Sequence, residues 1–143
     1  MEQDPLALAR RCAEAMSADD LASQRAGITV DGVAPGRATA RMPVGEAMIN
    51  GHEICHGGYI FLLADTAFAF ACNTYGAATV AQACDVVFVR PARLGDLLVA
   101  TATERVRYSR NGIYDVTVRA GEAVVAEFRG RSRTVGGPPA GAG

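Results

Sequence analysis

The chain has 143 residues, of which 50% are hydrophobic and 20% are charged, which is enough for one compact domain with one core. Its formal net charge is −1, and acidic and basic residues are interspersed. This excludes the overall positive field that draws proteins onto nucleic acid or anionic membranes. We therefore expect the partners to be small molecules or further copies of the chain.

The four cysteines lie far apart, in apolar stretches or beside a histidine. No apolar leader with a cleavage site opens the chain. Disulfides are rare in reducing compartments, where free cysteines of this kind are common. The expectation is a cytoplasmic protein.

The first part of the chain predicts two helices and a hairpin. Asp4 and Pro5 are typical of an N-cap and a first helical turn, and apolar residues then recur at helical spacing up to about Ser17. A short helix and two strands joined by turn signals are expected next, at 20–25, 28–33 and 37–43.

The segment 57–75 predicts a long, fully buried helix. It carries large apolar residues on all sides, with no proline or glycine between Tyr59 and Tyr75. A membrane span needs about 20 uninterrupted apolar residues, whereas Asp65 and Thr66 interrupt this run. The sequence therefore favours a helix in the protein core.

Four strand-like runs follow, at 79–89, 96–108, 113–120 and 123–133. One long apolar helix with about six strands, mostly in consecutive hairpins, is an α+β pattern. Wrapping an antiparallel sheet around the helix is the simplest way to bury it, and this arrangement is the hotdog fold. We predict one domain at 1–135 and a disordered tail of glycine, proline and alanine at 136–143.

Asp65 lies in the most hydrophobic helix of the chain. An unpaired ionised carboxylate buried there would cost several kcal/mol. Two interpretations fit equally well. Asp65 is either a buried residue bonded to a neighbouring hydroxyl or backbone group, or a catalytic carboxylate whose pKa is tuned by partial burial.

His56, Gly57 and Gly58 stand at the predicted start of the same helix, where backbone N–H groups lack partners and the helix dipole is positive. Such an end can hold an oxyanion, although a glycine pair before a helix is more often simply a turn. Asp65 is about 12 Å further along the axis than Gly57, so one helix cannot bring both to one carbonyl. If they cooperate, two helices must lie antiparallel across a two-fold axis, and the protein must be a dimer.

His52, Glu53, Cys55 and His56 are close in sequence and raise the alternative of a metal site. Structural zinc usually has four ligands and catalytic zinc three plus water, and the sequence offers no second cluster to complete a set. We therefore expect no metal here and interpret His56 as orienting a carbonyl or the loop. Cys55 is more plausible as a packing residue than as a nucleophile.

The run from Asn50 to Asn73, with His-Gly-Gly at 56–58 and Leu-Ala-Asp-Thr-Ala-Phe-Ala at 63–69, closely resembles the phenylacetic acid degradation thioesterases, a branch of the hotdog acyl-CoA thioesterases. Further matching segments lie at 88–91, 95–96, 112–115 and 128–130. The resemblance implies hydrolysis of aryl-acyl-CoA thioesters, favouring ring-hydroxylated phenylacetyl-CoA. It also implies a homotetramer built from two hotdog dimers.

The resemblance implies roles for individual residues. Asp65 would activate water or attack the carbonyl directly, and Gly57, with His56 beside it, would bind the oxyanion. Coenzyme A would leave as a thiolate, and no metal or redox cofactor is required. One position departs from the family: an asparagine of the first helical region falls on Asp19, and a carboxylate cannot donate the hydrogen bonds of an amide.

The acyl group is expected to lie in an apolar pocket between paired helices, with Phe61, Phe68 and Asn50 as candidate lining, although each could equally be core or loop. Arginines near strand ends could pair with the phosphates of coenzyme A. They are Arg90, Arg93, Arg110, Arg129 and Arg131, and Arg90 and Arg110 are retained as candidate substrate-binding residues.

Three other functions remain open at this point. A hotdog enoyl-CoA hydratase would use the same kinds of residue but would release no thiol. A non-catalytic acyl-CoA-binding protein would oligomerise and bind ligand without turnover. A small metal-binding protein would be detected by metal analysis.

Overall fold

The computed structural model describes residues 4–138. Its helices and strands follow the predicted order. They are α1 Pro5–Asp19, α2 Leu21–Arg25, β1 Thr29–Ala34, β2 Arg37–Pro43, a 3₁₀ turn Glu46–Met48, α3 Gly57–Cys72, β3 Thr79–Phe88, β4 Leu97–Tyr108, β5 Asn111–Ala120 and β6 Ala123–Thr134.

Two helix ends differ from the prediction. Asp4 stands at the N-cap of α1, but within the described chain its side chain makes no capping hydrogen bond. Helix α3 ends at Cys72 because the Asn73 side chain takes over the bonding: its amide nitrogen donates to the Ala69 carbonyl at 2.8 Å and its oxygen accepts from Thr79 N–H at 2.9 Å. Asn73 therefore ties the end of α3 to the start of β3.

The six strands form one antiparallel sheet in the order β1-β2-β4-β5-β6-β3. Three of the predicted consecutive hairpins are present, namely β1–β2, β4–β5 and β5–β6. Strand β3 departs from the hairpin pattern, because α3 carries the chain across the sheet and β3 pairs with β6 at the far edge. One side of β3 is therefore an open sheet edge.

Helix α3 packs on one face of the sheet and contacts all six strands. Alternate residues of β5 face it, and Tyr114, Val116 and Val118 are fully buried. Phe68 of α3 lies among aromatic rings, with its centroid 5.6 Å from that of Tyr114. Gly130 makes room for this ring, because a Cβ there would lie 2.7 Å from Phe68 ring carbons. The predicted hotdog arrangement is confirmed.

The prediction that α3 is fully buried was wrong in one respect. Along one side of the helix, Gly58 is exposed and Leu62, Asp65 and Ala69 are only half-buried. These residues recur at intervals of three and four, so they form one stripe on the helix surface. We call these four residues the open stripe of α3.

No helix in residues 4–138 is long and apolar enough to span a membrane. At the C-terminal end, the Gly137 carbonyl accepts a hydrogen bond from Ala78 N–H at 2.6 Å. Within the predicted disordered tail, residues 139–143 lie outside the described residues.

Candidate active site

The start of α3 presents a backbone donor that the protein itself does not use. His56 occupies the N-cap position, and its Nδ1 atom accepts a hydrogen bond from Gly58 N–H at 3.0 Å. Gly57 N–H donates to no atom among the described residues. The first amide of the helix is therefore available to an oxyanion, at the end where the helix dipole favours negative charge.

The imidazole of His56 has a defined role in this arrangement. Because Nδ1 accepts the bond from Gly58, a neutral His56 carries its hydrogen on Nε2. The main-chain N–H of His56 donates to the Met48 carbonyl at 2.7 Å, which anchors the loop before the helix. His56 thus holds the helix entry in place while its exposed Nε2–H remains able to donate a hydrogen bond.

An aromatic ring lies against the helix start. A Cβ added at Gly57 would lie 3.0 Å from Cζ of Phe88, so the absence of a side chain is what lets the ring approach. Phe88 ends the edge strand β3 and is 51% exposed. It places an apolar surface beside the free Gly57 amide. No role for Phe88 follows from the sequence, because no local pattern reveals a contact between residues 31 positions apart.

Asp65 lies half-buried on the open stripe of α3. Burial raises the pKa of its carboxyl, and repulsion from Asp20 raises it further. A carboxylate with a raised pKa is a stronger base, which suits it to take a proton from water. Both interpretations of Asp65 required something to offset the cost of burying its charge. In the structure, the carboxylate remains partly exposed to solvent.

In the first helical region, the acid that acts on Asp65 is Asp20 and not its neighbour Asp19. Asp19, at the position of the family asparagine, ends α1 and is exposed. Asp20, the next residue, is half-buried and is the one that repels Asp65. Adjacent acidic residues in a sequence do not reveal which of them faces the helix.

Asn50 shapes the loop that leads to His56. Its side-chain oxygen accepts hydrogen bonds from His52 N–H at 2.9 Å and Ile54 N–H at 3.3 Å. Glu53, inside this turn, has a positive φ of 60°. Asn50 therefore fixes a strained turn close to the helix entry.

The two phenylalanines proposed as pocket lining have different environments. Phe61 is half-buried, and its ring centroid lies 5.4 Å from that of Phe128. Phe68 is fully buried between α3 and the sheet. Phe61 remains able to contact a ligand, whereas Phe68 presents no surface in the described chain and acts in core packing.

Arg90 and Arg110 lie at opposite ends of β3. Arg90 follows the strand end near Gly57, whereas Arg110 lines a cavity of about 500 Å³ together with Thr79 at the strand start. The ten residues of β3 span roughly 30 Å. One phosphate group cannot contact both arginines of one chain.

Two tyrosines that line the cavity beside Arg110 bind the half-buried carboxylate of Glu104. Tyr75 and Tyr114 donate hydrogen bonds from their hydroxyls to Glu104 Oε1 at 2.8 and 3.0 Å. The guanidinium of Arg107 lies over the Tyr75 ring, 3.6 Å from its centroid. Arg107 and Arg110 both line the cavity, and Arg107 forms an ion pair with Glu104 at 3.4 Å.

Cys55 is buried, and burial raises the pKa of its thiol. A raised pKa lowers the thiolate fraction, so Cys55 is a poor nucleophile.

The metal alternative concerned the segment 52–56. Within 4–138, no three His, Cys, Asp or Glu side chains form a group able to hold a metal ion.

Comparison with known proteins matches residues 52–127 to the thioesterase superfamily. The acyl-coenzyme A thioesterase PaaI of Escherichia coli (strain K12) is 45% identical over 126 residues, covering 87% of this chain and 90% of that protein. The solved structure of E. coli PaaI, from the phenylacetic acid degradation operon, superposes with a TM-score of 0.93 at 42% identity, covering 95% of this chain and 99% of the other.

A mutant of the phenylacetic acid degradation protein PaaI from Thermus thermophilus is also similar in structure. It has a TM-score of 0.79 at 34% identity and covers 81% of this chain and 100% of the other. The family and fold expected from the motifs are confirmed: this chain belongs to the thioesterase superfamily and has the hotdog fold.

Proposed function

We propose that this protein hydrolyses aryl-acyl-CoA thioesters, with ring-hydroxylated phenylacetyl-CoA as the preferred substrate, in the catabolism of phenylacetate. Its similarity to the E. coli thioesterase PaaI supports thioester hydrolysis. The observation that carries the site assignment is the pairing, on one helix, of an unused amide at Gly57 and a half-buried base at Asp65.

The shared site requires a second subunit. Along the unbroken helix α3, Gly57 and Asp65 are separated by about 12 Å, so the carbonyl bound by one chain's Gly57 would be attacked from the Asp65 of the other. The open stripe supports this arrangement, because Gly58, Leu62 and Ala69 leave a narrow face for a second helix beside Asp65.

The edge strand β3 supports the same dimer. It lies at the sheet edge and contacts α3, and large apolar side chains at and beyond its end are about half exposed. They are Val87, Phe88 and Val89. Unpaired strand edges with exposed apolar residues readily pair with another chain. Antiparallel pairing of two β3 strands would continue the sheet and bring the two α3 helices together.

In the reaction, the thioester carbonyl oxygen accepts a hydrogen bond from Gly57 N–H, and Asp65 of the facing subunit takes a proton from water. The water oxygen bonds to the carbonyl carbon, and Gly57 stabilises the resulting oxyanion. The C–S bond then breaks, and coenzyme A leaves as a thiolate, which needs little acid assistance. The proton held by Asp65 passes through solvent to the thiolate, so the products are a carboxylic acid and free coenzyme A, and Asp65 is again ionised. Direct attack by Asp65, forming a mixed anhydride, is the alternative course.

Phe88 and Phe61 are placed to contact the acyl ring, and Asn50 holds the entry loop. Arg110, which lines the cavity at the start of β3, is complementary in charge to the phosphates of coenzyme A. Two such dimers would form the homotetramer. Free thiols at all four cysteines fit a reducing cytoplasm.

The first test measures thiol release from hydroxyphenylacetyl-CoA, phenylacetyl-CoA and short straight-chain acyl-CoAs by the native protein and by Asp65→Asn. We expect fast turnover of the aryl substrates and a loss of about 100-fold to 10,000-fold in the variant. If the variant keeps full activity, the site assignment is wrong. If the native protein hydrolyses no thioester, the proposed function is wrong, and enoyl-CoA hydration and ligand binding become the functions to assay.

A complementation experiment tests the shared site. In a dimer of one Asp65→Asn and one Gly57→Ala subunit, one site combines the two substituted residues and the other is intact. Co-refolding equal amounts of the two variants should therefore restore about a quarter of native activity. If mass spectrometry detects the mixed dimer but activity does not recover, Asp65 and Gly57 do not act together at one shared site.

A further inference from the structure

Asp20 is fixed at the junction of α1 and α2. Its Oδ1 atom accepts a hydrogen bond from Ser23 N–H at 3.1 Å, and its Oδ2 atom contacts Ser23 Oγ at 2.7 Å. Asp20 is thus the N-cap of α2. Two bonds to one residue leave its carboxylate little freedom to rotate away.

Ser23 connects this carboxylate to the helix of the active site. Its Oγ atom lies 3.0 Å from Oγ1 of Thr66, which in turn contacts the Leu62 carbonyl at 2.8 Å. Ser23 and Thr66 are both buried. Thr66 directly follows Asp65, so the chain of contacts from Asp20 ends on the turn of α3 that carries Asp65.

The hydrogens available to this chain are fewer than its contacts. Three contacts join Asp20, Ser23, Thr66 and the Leu62 carbonyl, but the two hydroxyls supply only two hydrogens. An ionised carboxylate and a carbonyl can only accept. Ser23 therefore donates to Asp20, and the one Thr66 hydrogen is shared between Ser23 Oγ and the Leu62 carbonyl. The carboxylate of Asp20 thus orients the hydroxyls that reach the turn beside Asp65.

Asp20 also acts on Asp65 through space. The other titratable groups coupled to Asp65 are Cys72 on α3 and Cys84 on β3. Burial raises the pKa of both thiols, that of Cys72 to about 12, so both are neutral at pH 7. Among the described residues, Asp20 is the charged group that raises the pKa of Asp65.

We propose that Asp20 is a positioning residue of the hydrolytic site, which through its contacts with Ser23 and Thr66 fixes the turn of α3 that carries Asp65. This role rests on the proposed function of Asp65 as the base. Asp20 itself touches no reacting atom.

The role predicts a direction of change with pH. Activity in kcat/KM requires ionised Asp65, so its acid limb follows the pKa of that residue in the free enzyme. Removing the charge of Asp20 removes a repulsion, which lowers the pKa of Asp65. The acid limb should move to lower pH, and the plateau at higher pH should fall because Asp65 has become a weaker base.

The experiment compares the full chain with Asp20→Asn and with Asp4→Asn. Asparagine is as good an N-cap as aspartate, so Asp20→Asn keeps α2 capped. Asp4→Asn removes the same charge from an exposed position. We expect the acid limb to move to lower pH in Asp20→Asn alone. Ser23→Ala, which keeps the charge but cuts the chain, should keep the acid limb near its native position and lower kcat.

Titration of the Asp65 carboxyl by NMR provides a readout that needs no turnover. A lower Asp65 pKa in Asp20→Asn, together with the moved acid limb, supports the role. If the native protein hydrolyses thioester but neither the limb nor the titration moves in Asp20→Asn, the role of Asp20 is overturned while the proposed function stands. If the native protein shows no hydrolysis, the proposed function itself fails, and the catalytic role of Asp20 fails with it.

Discussion

The two sides of α3 have similar small and apolar residues but different neighbours. The side that faces the sheet contains Leu63, Ala67 and Phe68, all fully buried. The open stripe contains Asp65 among residues that the rest of the chain covers only in part. The same helix therefore anchors the core on one side and carries the proposed catalytic carboxylate on the other.

The difference explains how a carboxylate is tolerated in so apolar a helix. On the sheet-facing side, an ionised group would lose its water and find few partners, at a cost of several kcal/mol. On the open stripe, Asp65 keeps part of its hydration, and only its pKa is raised. Substitutions on the sheet-facing side should therefore change mainly stability, and substitutions of Asp65 on the open stripe should change mainly activity.

The largest effect is expected for Phe68→Ala on the sheet-facing side. The change removes a fully buried ring that packs against Tyr114, Phe128 and Gly130. We expect the free energy of unfolding to fall by about 3 to 5 kcal/mol, measured by denaturant titration. Phe61→Ala, at a half-buried position, is the matched control and should cost less. Equal losses would show that the difference in burial between the two rings does not set their contributions to stability.

An intermediate effect is expected for Gly57→Ala at the helix start. A methyl group there would lie 3.0 Å from the Phe88 ring, which is exposed and can move, so stability should change little. The methyl group would also crowd the amide that binds the oxyanion. We expect kcat to fall by up to about 100-fold, the lower range for loss of one oxyanion donor. Unchanged kcat would argue against Gly57 as that donor.

The smallest effect is a stability gain in Asp65→Asn on the open stripe. Because the pKa of Asp65 is raised in the folded state, ionisation destabilises the fold as pH rises through that pKa. The amide avoids this cost, so thermal unfolding at pH 7 should show a gain on the order of 1 kcal/mol. The gain should disappear below about pH 3.9, where the carboxyl is protonated in both states. A gain that is independent of pH would have another cause.

Local signals were sufficient for much of the fold. Apolar residues at helical spacing predicted α1, a long apolar run without proline or glycine predicted α3, and strand-like runs between turn signals predicted the strands. The hairpins β4–β5 and β5–β6 were predicted from turn residues between neighbouring runs. Strand β3 was not placed at the sheet edge, because a pairing with β6 across some 45 residues has no turn signature.

The residues of the candidate site likewise divide into those that the local sequence reveals and those that only packing reveals. His56, Gly57 and Asp65 were identified from the sequence because a helix start and a charge inside an apolar run are visible within one element. The ring of Phe88 beside Gly57 and the carboxylate of Asp20 near Asp65 were not, since each depends on how separate elements pack.

By itself, then, the sequence determined the elements, their order and the family, and it supplied the candidate site residues of α3, because these depend on residues close together in the chain. Only the tertiary structure decided which side of α3 stays open, which strand lies at the edge and which acid faces the base. These features arise from contacts between residues tens of positions apart, and such contacts form only when the helix packs on the sheet.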